Sequence, residues 1–171
     1  MPSATLTINQ PKSISWRFLT IVSLTAAAAT APLIKNQFIT GPLVNTCLYL
    51  AAFLLSPQEA ILTGLFPSLI ALTIGLLPIP LAPMVPFIMT ANALLVLAFS
   101  FWQKRSFWQA IFLASLVKYL FLQTTSLAVA KLIAEKPLVH RAMGMMSWPQ
   151  LLTALAGGII AFGLLKFLKK D

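Results

Sequence analysis

Six apolar runs, parted by short connections that carry nearly all the charge, fill this chain: Phe18 to Ile34, Phe38 to Leu55, Ala60 to Leu77, Met84 to Trp102, Phe107 to Ala134 and Leu151 to Leu168. A helix rises about 1.5 Å per residue and the hydrocarbon layer of a bilayer is about 30 Å thick, so roughly 20 apolar residues make one crossing. Runs of this length and number predict an all-α fold, a polytopic bundle of six transmembrane helices. Composition agrees. Of 171 residues 59% are hydrophobic and 9% charged, with a mean hydropathy of +0.91, whereas a soluble domain carries roughly 25% charged residues. The bundle is expected to be a single domain over residues 16–171, after a polar lead, residues 1–15, containing Pro2 and Pro11. Lys12, Arg17, the first run and Ala29-x-Ala31 together imitate a cleaved secretory signal. The run is read as a first span instead, because its removal would leave an odd number of crossings.

Local residue types shape the runs. Gly64 and Pro67 lie inside the third, where a proline removes one backbone bond and predicts a kink. Pro78, Pro80, Pro83 and Pro86 then crowd an uncharged connection. Such a segment gains little from bulk water and is expected to fold back over the bundle as a plug or lid. Ser106 is placed to cap the fifth run, which at about 1.5 Å per residue is roughly 40 Å long and should tilt or protrude. The longest polar connection is Glu135 to Gln150.

Counting basic residues by side gives an orientation. With six crossings, the amino end, the fourth connection and the carboxyl end share one side and hold Lys12, Arg17, Lys104, Arg105, Lys166, Lys169 and Lys170; the other side holds Lys35, Lys131, Lys136 and Arg141. The bias puts both termini in the cytoplasm of a multi-pass cell-membrane protein. The net charge of +9 sits at the ends of apolar runs and forms no separate patch, so nucleic acid is not an expected partner; the lipid bilayer is.

Lys118 is the most informative single residue. It lies about 16 Å into the fifth run, too deep to snorkel from a lipid-facing surface, and should face the bundle. Two readings stay open: a cationic anchor for an anionic or strongly polar solute, or an internal tie. Asn45, Asn92, Gln123, Trp148 and Gln150 fall in the same half of the bundle and are candidates to line one outward-facing pocket with it, although intramembrane Asn and Gln also serve as interhelical glue. Small residues at four-residue spacing, Ala27-x3-Ala31 and Ala26-x3-Thr30 on the first run and Ala154-x3-Gly158 and Gly157-x3-Ala161 on the sixth, permit close approach by another helix.

Several function classes are disfavoured by what the chain lacks. Its acids are Glu59, Glu135 and Asp171, its one histidine is His140 and its one cysteine is Cys47. Metal or proton-relay chemistry in a bilayer calls for several carboxylates or imidazoles at workable spacing. No G-x-x-x-x-G-K-[ST] loop occurs. The expectation is therefore no enzyme, no metal and no cofactor of its own, with energy for any active transport drawn from a partner.

The alanine-rich first run, the opening Gly41-Pro42-Leu43-Val44-Asn45, the Pro78 to Pro86 connection continuing into Phe87-Ile88-Met89-Thr90-Ala91-Asn92-Ala93, and Ser147-Trp148-Pro149-Gln150 through Gly157-Gly158 resemble an S component, the substrate-binding membrane subunit of an energy-coupling factor transporter. The resemblance extends from about Trp16 onward. It implies a subunit that captures a vitamin or related micronutrient from outside and partners a transmembrane coupling subunit driven by two ATPases, which hydrolyse the ATP. It also implies that Ala27 and Ala31, with Ala26 and Thr30 as the neighbouring register, dock the coupling subunit, and that Asn45, Asn92, Lys118, Gln123, Trp148 and Gln150 are the candidates for solute binding. The chain has no amino-terminal histidine cluster, so nickel or cobalt is not the implied cargo. The alternative is a non-catalytic structural or assembly protein of the bacterial cell membrane.

Overall fold

A computed structural model describes residues 13–77, 79–130 and 144–168 of the chain. All regular structure among the described residues is helical: α1 (Ile14–Thr30), closed by a 3-10 turn (Ala31–Ile34), α2 (Gln37–Leu54), α3 (Pro57–Thr63), α4 (Phe66–Thr73), a 3-10 segment (Ile79–Met84), α5 (Val85–Trp102), α6 (Phe107–Ala130) and α7 (Trp148–Leu168). The starts have local causes. Ser13 accepts from the Trp16 N–H, Asn36 from the Phe38 N–H, and Ser56 with Glu59 forms a reciprocal capping box. Prolines open α3, α4 and α5, where the first helical N–H groups have no partner to lose.

Among the described residues, five helical stretches are long and apolar enough to cross a membrane: Ile14–Ile34, Gln37–Leu54, Ala82–Trp102, Phe107–Val129 and Gly144–Leu168. The sixth expected helix is different. Where the sequence suggests one kinked helix over Ala60 to Leu77, the chain forms two short helices, α3 and α4, of 7 and 8 residues. Pro67 removes the N–H that would have bonded the Thr63 carbonyl, and its ring crowds that same carbonyl. Gly64, poor at holding a helix together, lies at the break. The fifth run was expected to reach Ala134; its described helix ends at Ala130, and residues 131–143, with Lys131, Glu135, Lys136, His140 and Arg141, lie outside the described residues, as do residues 1–12 of the polar lead.

Although broken, α3 and α4 together run beside α1 in the same direction. Arg17 Nη2 lies 2.7 Å from Glu59 Oε2, Thr25 Oγ1 3.3 Å from Thr63 Oγ1, and the 3-10 turn after α1 touches α4. At one end of the bundle Gln103 Nε2 donates to the Ala52 carbonyl at 3.3 Å; at the other Gln37 Nε2 donates to the Met145 carbonyl at 2.6 Å. The start of α1 and the end of α7 therefore share one end, called the terminal end here.

Two apolar clusters fill the interior. Toward the terminal end Leu48, Tyr49, Leu55, Phe99, Phe107 and Leu165 pack together, with Tyr49 and Phe107 edge-on to Phe99 at 5.0 and 5.3 Å between ring centroids. Toward the opposite end Leu77, Met84, Val85, Leu122, Val129 and Met146 form the second. Leu77 before the proline-rich connection and Met84 and Val85 at its end are buried in this cluster, whereas Ile79 is 78% exposed. The described part of the connection is anchored at its ends, and the rest of the expected plug or lid lies outside the described residues. The small residues of the sixth run act inside the molecule: Ala154, Gly157, Gly158 and Ala161 are all buried. By contrast Phe18, Leu19, Phe101, Phe112, Ile159 and Phe167 are exposed, a coat of large apolar side chains suited to lipid.

Candidate functional site

Lys118 is 3% exposed, half-way along α6 between Ala114 of one apolar cluster and Leu122 of the other. Its Nζ donates to Asn45 Oδ1 and to Asn92 Oδ1, each at 2.7 Å. Asn92 Nδ2 in turn donates to the Gly64 carbonyl at 2.9 Å. That carbonyl sits at the break between α3 and α4 and needs a donor. By facing it with Nδ2, Asn92 is obliged to present its oxygen to Lys118. One network thus joins α2, α5, α6 and the broken third segment at mid-depth.

Both acceptors of Lys118 are neutral amides. The described residues hold one ion pair, Arg17 with Glu59, and the same Glu59 oxygen also accepts from the Ser56 hydroxyl and N–H. No carboxylate among the described residues faces Lys118. Hydrogen bonds to a charged group contribute about 1.5–3 kcal/mol each, while taking an ammonium out of water costs several kcal/mol. The two amides hold the ammonium in position, and nothing among the described residues compensates its charge.

Beside this network lies a cavity of about 110 Å³. Asn45, Asn92, Lys118 and Gln150 line it, four of the six residues that the sequence singles out for solute binding. Gln123 and Trp148 are not in its wall. Five residues beyond Lys118, Gln123 is turned about 140° around the helix; its Oε1 is buried without a partner among the described residues. Trp148 is 58% exposed and leans on Phe38, ring centroids 6.3 Å apart.

The wall also contains residues that sequence reasoning missed: Gln37, Thr40, Ser68, Met145 and Met146. Ser68 follows Pro67 one turn past Gly64, so the helix-breaking pair was the available signal for it. Gln37 and Gln150 donate their amide protons to the same Met145 carbonyl, at 2.6 and 3.0 Å, and close the cavity toward the end opposite the termini. Met145 and Met146 bring unbranched, adaptable side chains to the same place.

On α1, Ala26, Ala27 and Thr30 lie on an exposed face. Ala31, the fourth residue of the expected docking set, is 5% exposed. Ala31 still donates its N–H to the Ala27 carbonyl in the α-helical manner, and the start of α2 covers it: its carbonyl accepts from Thr40 Oγ1 at 3.0 Å. Three of the four residues share the outward face and the last belongs to the interior. No family model, curated protein or solved structure matches this chain.

Proposed function

We propose that the chain is the solute-capturing membrane subunit of an ATP-driven importer of the energy-coupling factor type, carrying a vitamin or related small micronutrient across the plasma membrane. The observation that carries this reading is Lys118, fixed at mid-depth by Asn45 and Asn92 beside a cavity, with no carboxylate among the described residues to neutralise it. A discontinuous segment bordering a polar site near the middle of the bilayer is a recurring feature of transporters, because freed backbone groups there can serve the site. The orientation is supported by charge. Treating α3 and α4 as one broken crossing gives six passages, and the basic residues of the terminal end, Arg17, Lys104, Arg105 and Lys166 among them, then favour a cytoplasmic location for both termini. The cavity, closed by Gln37 and Gln150 at the opposite end, would take its solute from outside.

This chain performs no chemical step in that scheme. The coupling subunit and two ATPase subunits supply the energy, and ATP-driven reorientation of the bundle carries the solute inward. Ala26, Ala27 and Thr30 form the flat face available to the coupling subunit. Tagged protein from its native host is expected to co-purify with a coupling subunit and ATPases, and Ala27→Trp, at an exposed position that leaves the bundle intact, is expected to reduce their recovery at least tenfold. Full recovery with the tryptophan in place would remove this docking face; absence of any such subunits would remove the importer reading.

The same hydrogen bonds favour a second reading, because they tie three helices together: Lys118 as a brace in a structural or assembly protein without a solute. The two readings differ in ligand response. A bound solute at 100 times its dissociation constant stabilises the fold by about 2.7 kcal/mol, and a brace alone gives no such effect.

A further inference from the structure

The polar part of the cavity wall is rich in donors. Lys118 uses two of its three ammonium protons on the Asn45 and Asn92 oxygens. Asn45, its oxygen taken, keeps both amide protons, and Ser68, 4% exposed, has a buried hydroxyl without a partner among the described residues. A buried hydroxyl left unbonded is destabilising. The Ser68 hydroxyl stands in the wall of the same cavity as a cation that no described carboxylate faces, which makes that wall suited to a hydrogen-bond acceptor. Much of the remaining wall is apolar, including Val44, Ala71, Leu76, Leu77, Ile88 and Met146.

Charge and size narrow the class of solute. One cation balances one negative charge; a phosphate dianion would leave an excess charge in apolar surroundings, at high cost. A cationic solute would meet Lys118 directly. An engineered cavity of about 150 Å³ holds benzene, so a cavity of about 110 Å³ encloses about four or five non-hydrogen atoms, and the rest of a short chain can extend into its mouth.

We propose that the cavity binds a small aliphatic monocarboxylate, its carboxylate held by Lys118 Nζ, Asn45 Nδ2 and the Ser68 hydroxyl and its hydrocarbon end against Val44, Leu77 and Ile88. Ser68 is thereby a specificity-determining residue. The assignment keeps the importer reading but puts a short carboxylate in place of a vitamin as its cargo, and rests on that reading for its biological role.

The test uses the full chain in detergent, titrated by calorimetry and thermal unfolding with propionate, butyrate, butyramide, n-butylamine, octanoate, phosphate and chloride. Propionate and butyrate are expected to bind and to raise Tm by several degrees. Butyramide, of the same shape but uncharged, is expected to bind at least about 30-fold more weakly than butyrate, the equivalent of 2 kcal/mol; octanoate is expected to bind more weakly than butyrate, and n-butylamine and phosphate not at all. Ser68→Ala is expected to weaken butyrate binding about tenfold while leaving the Tm of the unliganded protein unchanged or raised, since it deletes a hydroxyl that has no partner. A merely structural serine gives the reverse, a lower Tm with unchanged affinity. Failure of both short carboxylates to bind, or equal affinity for butyrate and butyramide, overturns the proposal. Chloride binding as tightly as butyrate also overturns it, in favour of an inorganic anion site. Loss of coupling-subunit capture would strike the importer reading and leave these titrations standing; carboxylate failure with capture intact would strike this assignment alone.

Discussion

Gly157→Ala is expected to destabilise the purified protein by about 1–3 kcal/mol, the usual penalty of forcing a methyl group into a packed interface, and to weaken solute binding as well. A Cβ at Gly157 would stand 2.6 Å from Asn45 Cβ, 2.9 Å from the Pro42 carbonyl oxygen and 2.9 Å from the Thr46 nitrogen. Two of these are backbone atoms of α2, so no rotamer change relieves the contact and the helices must part. The interface is close all along: Thr153 lies against Gly41, with its Cβ 2.7 Å from where a Gly41 Cβ would be, and Thr46 Oγ1 donates to the Gly157 carbonyl at 3.1 Å. Any separation moves Asn45, which holds Lys118. Gly163→Ala is the control. A Cβ there meets nothing within 4 Å, and alanine is the better helix former by about 1 kcal/mol, so its Tm should equal or exceed that of the parent. Thermal unfolding of the two variants, with butyrate titration of each, checks the prediction. Equal stability of Gly157→Ala and Gly163→Ala would mean that α2 and α7 do not approach as described.

How much of this was legible in the sequence depends on the kind of interaction. Length and hydropathy gave five of the long helices to within a few residues, because transfer of an apolar run into lipid depends on composition alone. The break between α3 and α4 was under-read as a kink. Proline's local effect is visible in sequence, but its severity depends on whether another chain segment satisfies the carbonyls it frees, and here Asn92 does so from 28 positions away. Lys118 was legible as an inward residue through the cost of an ammonium in lipid, and Asn45 and Asn92 through their depth. Gln123 and Trp148 were read by depth too, which says nothing about azimuth. Ser68 has only an indirect signal, its place just past the Gly64 and Pro67 break: serine is common in apolar helices, and what distinguishes this one is an unpartnered hydroxyl, among the described residues, in the wall of the cavity. Ala31 is covered by the start of α2, a tertiary contact that four-residue spacing along one helix does not show.

Lys118→Met should separate solute binding from bracing more sharply than any other single change. Methionine nearly fills the lysine's volume and removes the charge, so the packing between Ala114 and Leu122 survives. The Asn45 and Asn92 oxygens lose their donor, at about 1–3 kcal/mol for each acceptor that stays buried and unpaired. Against this, the fold no longer holds an uncompensated ammonium away from water, a relief of comparable size. Stability is therefore expected to change little. Affinity for butyrate is expected to fall about 30-fold or more, because truncating one partner of a buried charged hydrogen bond costs about 2–5 kcal/mol. Asn92→Leu should behave differently: it removes an acceptor of Lys118 and the donor to the Gly64 carbonyl in one step. It leaves a poorly held charge and an orphaned carbonyl, and should cost clearly more stability than Lys118→Met. Combining the two substitutions should recover part of that loss, since the charge is then gone. Calorimetry and unfolding on the three variants decide the matter. Unchanged butyrate affinity in Lys118→Met together with a large loss of Tm would make the lysine a brace and nothing more. Retained stability with lost affinity is what a cation that serves a bound carboxylate requires.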